Sequence, residues 1–221
     1  TWSDWNWPAG ESEFRRAIQL NPGFAAHAHY ATLLNIMRRP DEAMAEARRA
    51  LELDPFNTLV RAVYGANLVF IRQYDAAIAE FNKVLATNPR DLAALSNLIS
   101  EPHQKREHKR ALEALNRYAS AVGYSEVTSY LAQTNADADY GATMHGAADT
   151  LAARSRKTFV LPSDVASLYA YAGDKDRCLE WLERAYVVRD PLLPMLWFPD
   201  FDSVRDDPRF RDLLKRMKLP D

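Results

Sequence analysis

Three prolines recur at a fixed spacing in the first half of the chain, and a set of small and aromatic residues recurs with them. Pro22, Pro55 and Pro89 are 33 and 34 residues apart, and an Asn or Asp directly precedes each of them. The residue eight positions before each proline is Phe or Ala, and the residue five positions before is Ala or Val. A period of this length indicates a stack of similar units, each of which contacts only its neighbours.

The unit formed by residues 24–57 is predicted to contain two helices. In its first half, apolar residues recur at three- and four-residue spacing, which indicates an amphipathic helix from about Phe24 to Met37. A second helix is predicted to begin at Pro40, because proline is tolerated in the first turn of a helix. It is predicted to end at Asp54, because the residue before a proline is disfavoured in the helical region.

The next unit, residues 58–91, repeats this pattern at an offset of 34 residues. Ala31 and Gly65 are equivalent positions in the two first helices, and short side chains allow the helices of a hairpin to approach closely. A glycine in the middle of a helix costs about 1 kcal/mol relative to alanine. We therefore expect Gly65 to lie at a close contact with Ala77 of the second helix.

The combined pattern resembles the tetratricopeptide repeat: small residues in both helices, an aromatic residue or Leu in each, and Asn/Asp-Pro at the end, with a period of 34 residues. The resemblance implies an all-α fold, a right-handed superhelical solenoid of antiparallel helix pairs. It also implies a concave groove lined by the first helices of successive units. The function it implies is non-catalytic binding of a protein or peptide in that groove.

The period divides the chain into a partial repeat with only a second helix, two full repeats, two degenerate helix pairs, a further repeat and a C-terminal cap. In that order, the segments are residues 1–23, 24–57, 58–91, 92–125, 126–158, 159–191 and 192–221. Pro102 is expected to end a helix near Ser100, and the fifth segment is expected to divide near Asp137 to Asp139. The apolar start of the cap is expected to fold back over the last hairpin.

The chain begins inside a repeat, without room for a first helix upstream. The favoured interpretation is a piece of a longer protein; the alternative is a divergent cap in which Trp2, Trp5 and Trp7 cover the open end. Asp4-Trp5-Asn6-Trp7 running into residues 13–22, together with residues 201–210, resembles the C-terminal repeat region of large bacterial signalling proteins. In those proteins a winged-helix, nucleotide cyclase or Ser/Thr kinase domain precedes the repeats. The resemblance implies a bacterial cytoplasmic location, or a periplasmic one where a membrane span lies upstream.

Composition argues against several other functions for this stretch of sequence. A net charge of −2 lacks the basic excess expected for nucleic-acid binding. No apolar run approaches the roughly 18 residues that a membrane span needs. The one cysteine, Cys178, forbids an internal disulfide and is interpreted as a buried, inert thiol. The five histidines form no metal-ligand pattern and no phosphate-binding loop is present, so we predict no catalytic residue, metal or cofactor.

The family resemblance places a set of polar residues and one aromatic residue on the concave face. The predicted partner-binding residues are Thr32, Asn35, Asn67, Phe70 and Asn97. Such a neutral groove suits an extended peptide or a helix held by hydrogen bonds and shallow apolar contacts. The competing interpretation is that Phe70 belongs to the core between repeats and that Asn67 only caps neighbouring backbone.

One known binding mode of the family can be rejected from the sequence. Some members grip a partner's C-terminal carboxylate with Lys, Asn and Arg side chains in the groove. The matching positions here are Ala28, Thr32, Val63, Ala93 and Asn97. Since Asn97 alone is compatible, that clamp is not expected. Two further alternatives stay open: a homodimer formed through the exposed N-terminal helix, and, more remotely, an enzyme on a helical scaffold.

Overall fold

The computed structural model describes residues 4–134 and 139–220, and the regular structure in these ranges is helical throughout. Two short 3₁₀ helices, Leu193–Met195 and Pro199–Val204, precede the last α-helix. The α-helices are α1 (Trp7–Leu20), α2 (Phe24–Ile36), α3 (Pro40–Leu53), α4 (Thr58–Phe70), α5 (Tyr74–Thr87), α6 (Leu92–Gln104), α7 (His108–Val122), α8 (Ser125–Gln133), α9 (Tyr140–Arg154), α10 (Pro162–Ala172), α11 (Lys175–Val188) and α12 (Pro208–Arg216).

The helices pack as successive hairpins, α2 with α3, α4 with α5, α6 with α7, α8 with α9 and α10 with α11. The predicted all-α solenoid fold is confirmed, and both helices of the unit 24–57 end within one residue of the predicted positions. Helix α1 is a second helix that packs against α2. The division expected near Asp137 falls partly on residues 135–138, which lie outside the described residues; α8 ends at Gln133 and α9 begins at Tyr140.

The turns inside the first three complete hairpins share one cap. Arg38, Arg72 and Arg106 each adopt a left-handed backbone conformation, with φ of 56°, 62° and 59°. The residue after each arginine donates its N–H to a carbonyl five residues earlier, as in Arg39 N to Leu34 O at 2.8 Å. This is the Schellman arrangement that satisfies the last carbonyls of a helix. An L-residue in this conformation costs about 1 kcal/mol, so the three arginines are unusual cap residues.

The expectation that Pro102 would end α6 near Ser100 is wrong. Helix α6 continues to Gln104, and Pro102 is buried in its last turn. A proline there removes a single N–H donor, and the Schellman bond from Glu107 N to Pro102 O, at 2.8 Å, closes the helix beyond it. The ring occupies the core position that Leu68 fills one period earlier, so burial offsets the missing hydrogen bond.

Gly65 lies at a close helix contact, but its nearest neighbour is a ring rather than Ala77. A Cβ atom built at Gly65 would lie 2.7 Å from Cε1 of Phe81, a distance that real Cβ atoms do not tolerate. Phe81 is only 1% exposed and belongs to the core between α4 and α5. The glycine is therefore required because the aromatic residue of the partner helix packs directly on the backbone of α4.

The segment of residues 192–205, here called the strap, takes a longer path than expected. It contacts α10 and α11 of the last hairpin, as predicted, but it also reaches α6 and α4. The two ends of the chain meet beside it. Trp7 donates from Nε1 to the carbonyl of Met217 at 2.8 Å, and Trp5 stacks on Tyr186 of α11 at 6.2 Å between ring centroids. Both tryptophans are buried between the chain ends; Trp2 lies outside the described residues.

We predict that Gly65→Ala lowers the free energy of unfolding. Overpacking against Phe81 costs about 1–3 kcal/mol, whereas the gain in helix propensity returns only about 1 kcal/mol. Urea denaturation measures the difference. The control is Gly23→Ala, because a Cβ there meets its nearest atom at an ordinary 3.5 Å. A Gly65→Ala variant as stable as the wild type would contradict the assigned contact, and in a Phe81→Leu background the cost of Gly65→Ala should shrink.

Candidate functional site: a groove covered by the strap

The strap crosses the concave face formed by α2, α4, α6 and α10. Phe198 packs edge-on against Phe70 at the C-terminal end of α4, with ring centroids 6.0 Å apart. The side-chain amide of Gln104, at the end of α6, donates to the carbonyl of Pro199 at 3.0 Å. The hydroxyl of Tyr171, on α10, donates to Asp200 at 2.6 Å. The groove is therefore covered by the chain itself at the C-terminal ends of its first helices.

Two of the three arginines in the hairpin turns contact the strap. The guanidinium of Arg38 lies over the ring of Trp197, 4.3 Å from its centroid. Arg72 pairs with Asp202 at 2.7 Å. The unusual cap residue thus gives each of these two turns a cationic side chain that reaches the strap, and the repeat period places the two cations side by side.

A cavity of about 300 Å³ remains between the strap and the groove. Most of its wall is apolar, contributed by α4, α6, α7 and α10 and by Met195, Phe198 and Phe201 of the strap. Leu59 and Leu192 belong to the same wall yet are 45% and 43% exposed. These two leucines therefore mark an apolar mouth through which the cavity opens to solvent.

Four of the five predicted partner-binding residues line this cavity: Thr32, Asn35, Asn67 and Asn97. The fifth, Phe70, does not; it supports Phe198, which does. That these residues bind a partner stays a prediction.

The asparagines also have structural roles. Asn35 donates its amide to Oδ1 of Asn67 at 2.8 Å, and Asn67 donates to the carbonyl of Val63 at 2.8 Å. Asn97 donates in the same way to Ala93 at 2.8 Å. Because Asn35 and Asn67 are 4% and 2% exposed, a charge at either position would be buried and would destabilise the fold.

Sequence reasoning missed an acidic cluster at one end of the cavity. The carboxylate of Asp164, in the first turn of α10, accepts the hydroxyl of Tyr118 at 3.0 Å and that of Tyr124 at 2.8 Å. Protein atoms surround the carboxylate, but the side chain is only half-buried because it lines the cavity. Burial raises the pKa of Asp164 to about 6, and the nearby carboxylate of Asp190 acts in the same direction. The sequence signal, an acid in the first turn of a helix, was indistinguishable from an ordinary helix start.

A second carboxylate of the cavity belongs to the strap. Asp200 lines the wall and accepts the hydroxyl of Tyr171. Burial raises its pKa, while the hydrogen bond from Tyr171 acts in the opposite direction. The ring of His103 packs against that of Tyr171, with centroids 4.6 Å apart. Nδ1 of His103 is hydrogen-bonded to the hydroxyl of Tyr140 at 2.9 Å. Burial lowers the pKa of His103 to about 4, so this histidine is neutral at pH 7.

Other side chains that could be reactive are part of the packed core. Cys178 is fully buried, and burial raises the pKa of its thiol to about 12, so it carries no thiolate at neutral pH. Among residues 4–134 and 139–220, no three His, Cys, Asp or Glu side chains are grouped as metal ligands. No helix in these ranges is long and apolar enough to cross a membrane.

Helix α1, the predicted homodimer contact, buries its apolar side within the chain. Trp7 is 3% exposed, and Phe14 and Ile18 pack against the core. Leu20, at 76% exposure, is the large apolar residue that α1 presents to solvent. A homodimer through α1 stays a prediction, and its contact would be mainly polar.

We predict that Asp164 makes stability fall as pH rises from about 4 to 6. The folded group titrates near pH 6 and the unfolded group near its ordinary 3.8, so the folded state holds the extra proton in this interval. The stability that Asp164 loses is about 3 kcal/mol over its full titration and about 2 kcal/mol between pH 4 and pH 6. Urea denaturation of the wild type and of Asp164→Asn at pH 4 and at pH 7.5 gives the difference between their free energies of unfolding at each pH. His103 titrates in the opposite sense, but it is present in both proteins and its contribution cancels in the difference. A difference in the free energy of unfolding that does not change with pH would contradict the prediction.

The tetratricopeptide repeat family model matches residues 25–57, and no curated protein is significantly similar to the chain in sequence. Among solved structures, a tetratricopeptide repeat protein from Parabacteroides merdae is 14% identical with a TM-score of 0.50, over 96% of this chain and 93% of that one. YrrB, a TPR protein with an unusual peptide-binding site, is 20% identical with a TM-score of 0.47, over 82% and 95% of the two chains. The chain thus contains a tetratricopeptide repeat at residues 25–57 and folds as an all-α solenoid of the kind that such repeats form.

Proposed function

We propose that this chain is a non-catalytic protein-interaction module whose covered groove holds a short segment of a partner protein. The observation that carries the proposal is the apolar cavity, open at Leu59 and Leu192, on the face formed by the first helices. A concave, mostly apolar site with a few polar groups is the usual form of a binding pocket. The exposed leucines at its mouth offer apolar contact to a segment that enters.

The strap limits how a partner can bind. Its residues Trp197 and Phe198 already occupy the groove at the C-terminal ends of α2 and α4. A cavity of about 300 Å³ is at the lower end of the range for ligand pockets. We therefore propose that the partner inserts one or two side chains through the mouth, rather than lying along the whole groove.

We further propose that the chain is the C-terminal regulatory part of a larger bacterial signalling protein. It would then lie in the cytoplasm, or in the periplasm if its parent has a membrane span upstream. Support comes from the two stretches that resemble such proteins, because both contribute side chains to the packing of this fold. Trp5 stacks on Tyr186, Trp7 donates to the carbonyl of Met217, and Phe201 and Phe210 are buried in the core. The sequence upstream of Thr1 tests the proposal, because a kinase, cyclase or winged-helix domain there is expected.

The groove assignment is tested with peptides selected on the wild-type chain from a random phage-displayed library. Ala66→Trp should weaken their binding at least tenfold, because Ala66 lines the cavity from the middle of α4 and the indole would fill it. Fluorescence polarisation measures the dissociation constants. Lys109→Trp, at an exposed position of α7 outside the cavity, is the matched control and should bind as the wild type does.

Circular dichroism and the thermal midpoint must show that both variants remain folded. Selected peptides that bind Ala66→Trp and the wild type equally would overturn the groove as the binding site.

A further inference from the structure

The covered cavity contains two carboxylates, those of Asp164 and Asp200, but no cationic partner within its wall. Among the described residues that line it there is no Lys, Arg or His. The charged groups nearest to Asp164 include the carboxylate of Asp190, which is held by the N–H groups of Ser163 and Leu192 at 2.9 Å each. The guanidinium of Arg205 favours the ionised form of Asp200, and the carboxylate of Asp202 opposes it. The cavity is therefore acidic.

The hydrogen-bonding groups at the Asp164 end are arranged as acceptors. Tyr118 and Tyr124 both direct their hydroxyl protons to the carboxylate, so their oxygens are left with lone pairs only. A carboxylate has about four acceptor positions, and these two donors leave capacity for more. An anion or a neutral acceptor would find no donor among these three groups.

Two further polar atoms of the cavity wall are buried without a partner. Oδ1 of Asn35 accepts no hydrogen bond, although the residue is only 4% exposed. Oγ of Ser163, on a residue that is 6% exposed, likewise has none. A buried polar atom without a partner destabilises the fold, and in a native structure it calls for an explanation. Both residues line the cavity, although the two atoms themselves lie beneath its surface.

We propose that the cavity binds a basic side chain, the ammonium of a Lys or the guanidinium of an Arg in the partner segment, with its charged group at Asp164 and its apolar stem along the wall. The proposal rests on the proposed function and names the partner's chemistry. An ammonium supplies three donors and a guanidinium five, and neither can accept. The stem matches the apolar residues that surround the acidic end: Leu115, Ala119, Val127, Leu151 and Leu168.

Electrostatics favour the same occupant. A carboxylate among protein atoms interacts more strongly with a cation than one in water, because the local dielectric constant is lower. Asp164 titrates near pH 6, so it is mainly ionised at pH 7.5 and mainly protonated at pH 5. The groups that face it are Tyr118 from α7, Tyr124 at the start of α8, and Asp190 after α11; the two tyrosine pKa values are raised by burial, so neither hydroxyl ionises in this interval.

The experiment uses three small probes of nearly the same shape on the whole chain: phenethylamine, 2-phenylethanol and 3-phenylpropionate. Isothermal titration calorimetry at pH 7.5 should show that the amine binds at least tenfold more tightly than the alcohol, and that the carboxylate does not bind. The preference for the amine should decrease at pH 5. Equal affinities for amine and alcohol, or a preference for the carboxylate, would overturn the proposal, and this comparison needs no variant.

Asp164→Asn assigns the charged end of the site. It keeps an acceptor oxygen for the tyrosine hydroxyls and removes the charge, so amine affinity should fall about tenfold and alcohol affinity should fall much less. Asp176→Asn, at an exposed position at the start of α11, is the matched control. An unchanged amine affinity in Asp164→Asn would show that Asp164 is not the anchor.

The selected peptides separate this inference from the proposed function. A peptide that loses its affinity in Ala66→Trp, yet binds equally well when its Lys or Arg is replaced by norleucine, would overturn the basic side chain and leave the groove assignment intact. A clear preference for the amine probe, together with peptides insensitive to Ala66→Trp, would overturn the proposed function and leave the cation site intact.

Discussion

The strap crosses the groove in contact with two arginines of left-handed turns, and the shape of the cavity depends on this crossing. A cation–π contact such as that of Arg38 with Trp197 contributes about 0.5–2 kcal/mol, and an exposed ion pair such as Arg72 with Asp202 contributes about 0–1 kcal/mol. Neither is large beside the burial of Leu196, Phe201 and Val204. We infer that apolar burial supplies most of the strap's binding energy, and that the arginines fix its direction across the repeats.

This arrangement changes what a helical-repeat groove can recognise. An open groove can bind an extended segment along its length, with side chains and backbone both in contact. Here the ends of the first helices are already covered, and in the function we propose a partner enters between Leu59 and Leu192. Affinity must then come from a few fully buried groups, as at the hot spots of protein interfaces. Selectivity comes from the polar atoms that such groups must satisfy.

The sequence predicts the helix pairs well because the proline period records contacts between neighbouring units. It predicts that the strap folds back over the last hairpin but not that it reaches the groove. The partner of Arg72 lies 130 residues away, and nothing local distinguishes a turn arginine that binds from one that is exposed. The recurrence of Arg at 38, 72 and 106 is visible in the sequence, yet its left-handed conformation is not. Asp164 escaped notice for a related reason, since its tyrosine partners belong to the degenerate middle units, where the period carries little information.

The acidic end of the cavity lowers the stability of the folded state. A carboxylate whose pKa is raised by burial reduces the stability of the folded state at neutral pH, and the unpartnered atoms of Asn35 and Ser163 reduce it further. An apolar residue at position 164 would remove the first of these costs. Groups that lower stability but lie in a pocket are typical of binding sites. A ligand that pairs with such a group binds the folded state alone and stabilises it in proportion to the logarithm of its concentration, so occupancy of this cavity and the stability of the fold are thermodynamically linked.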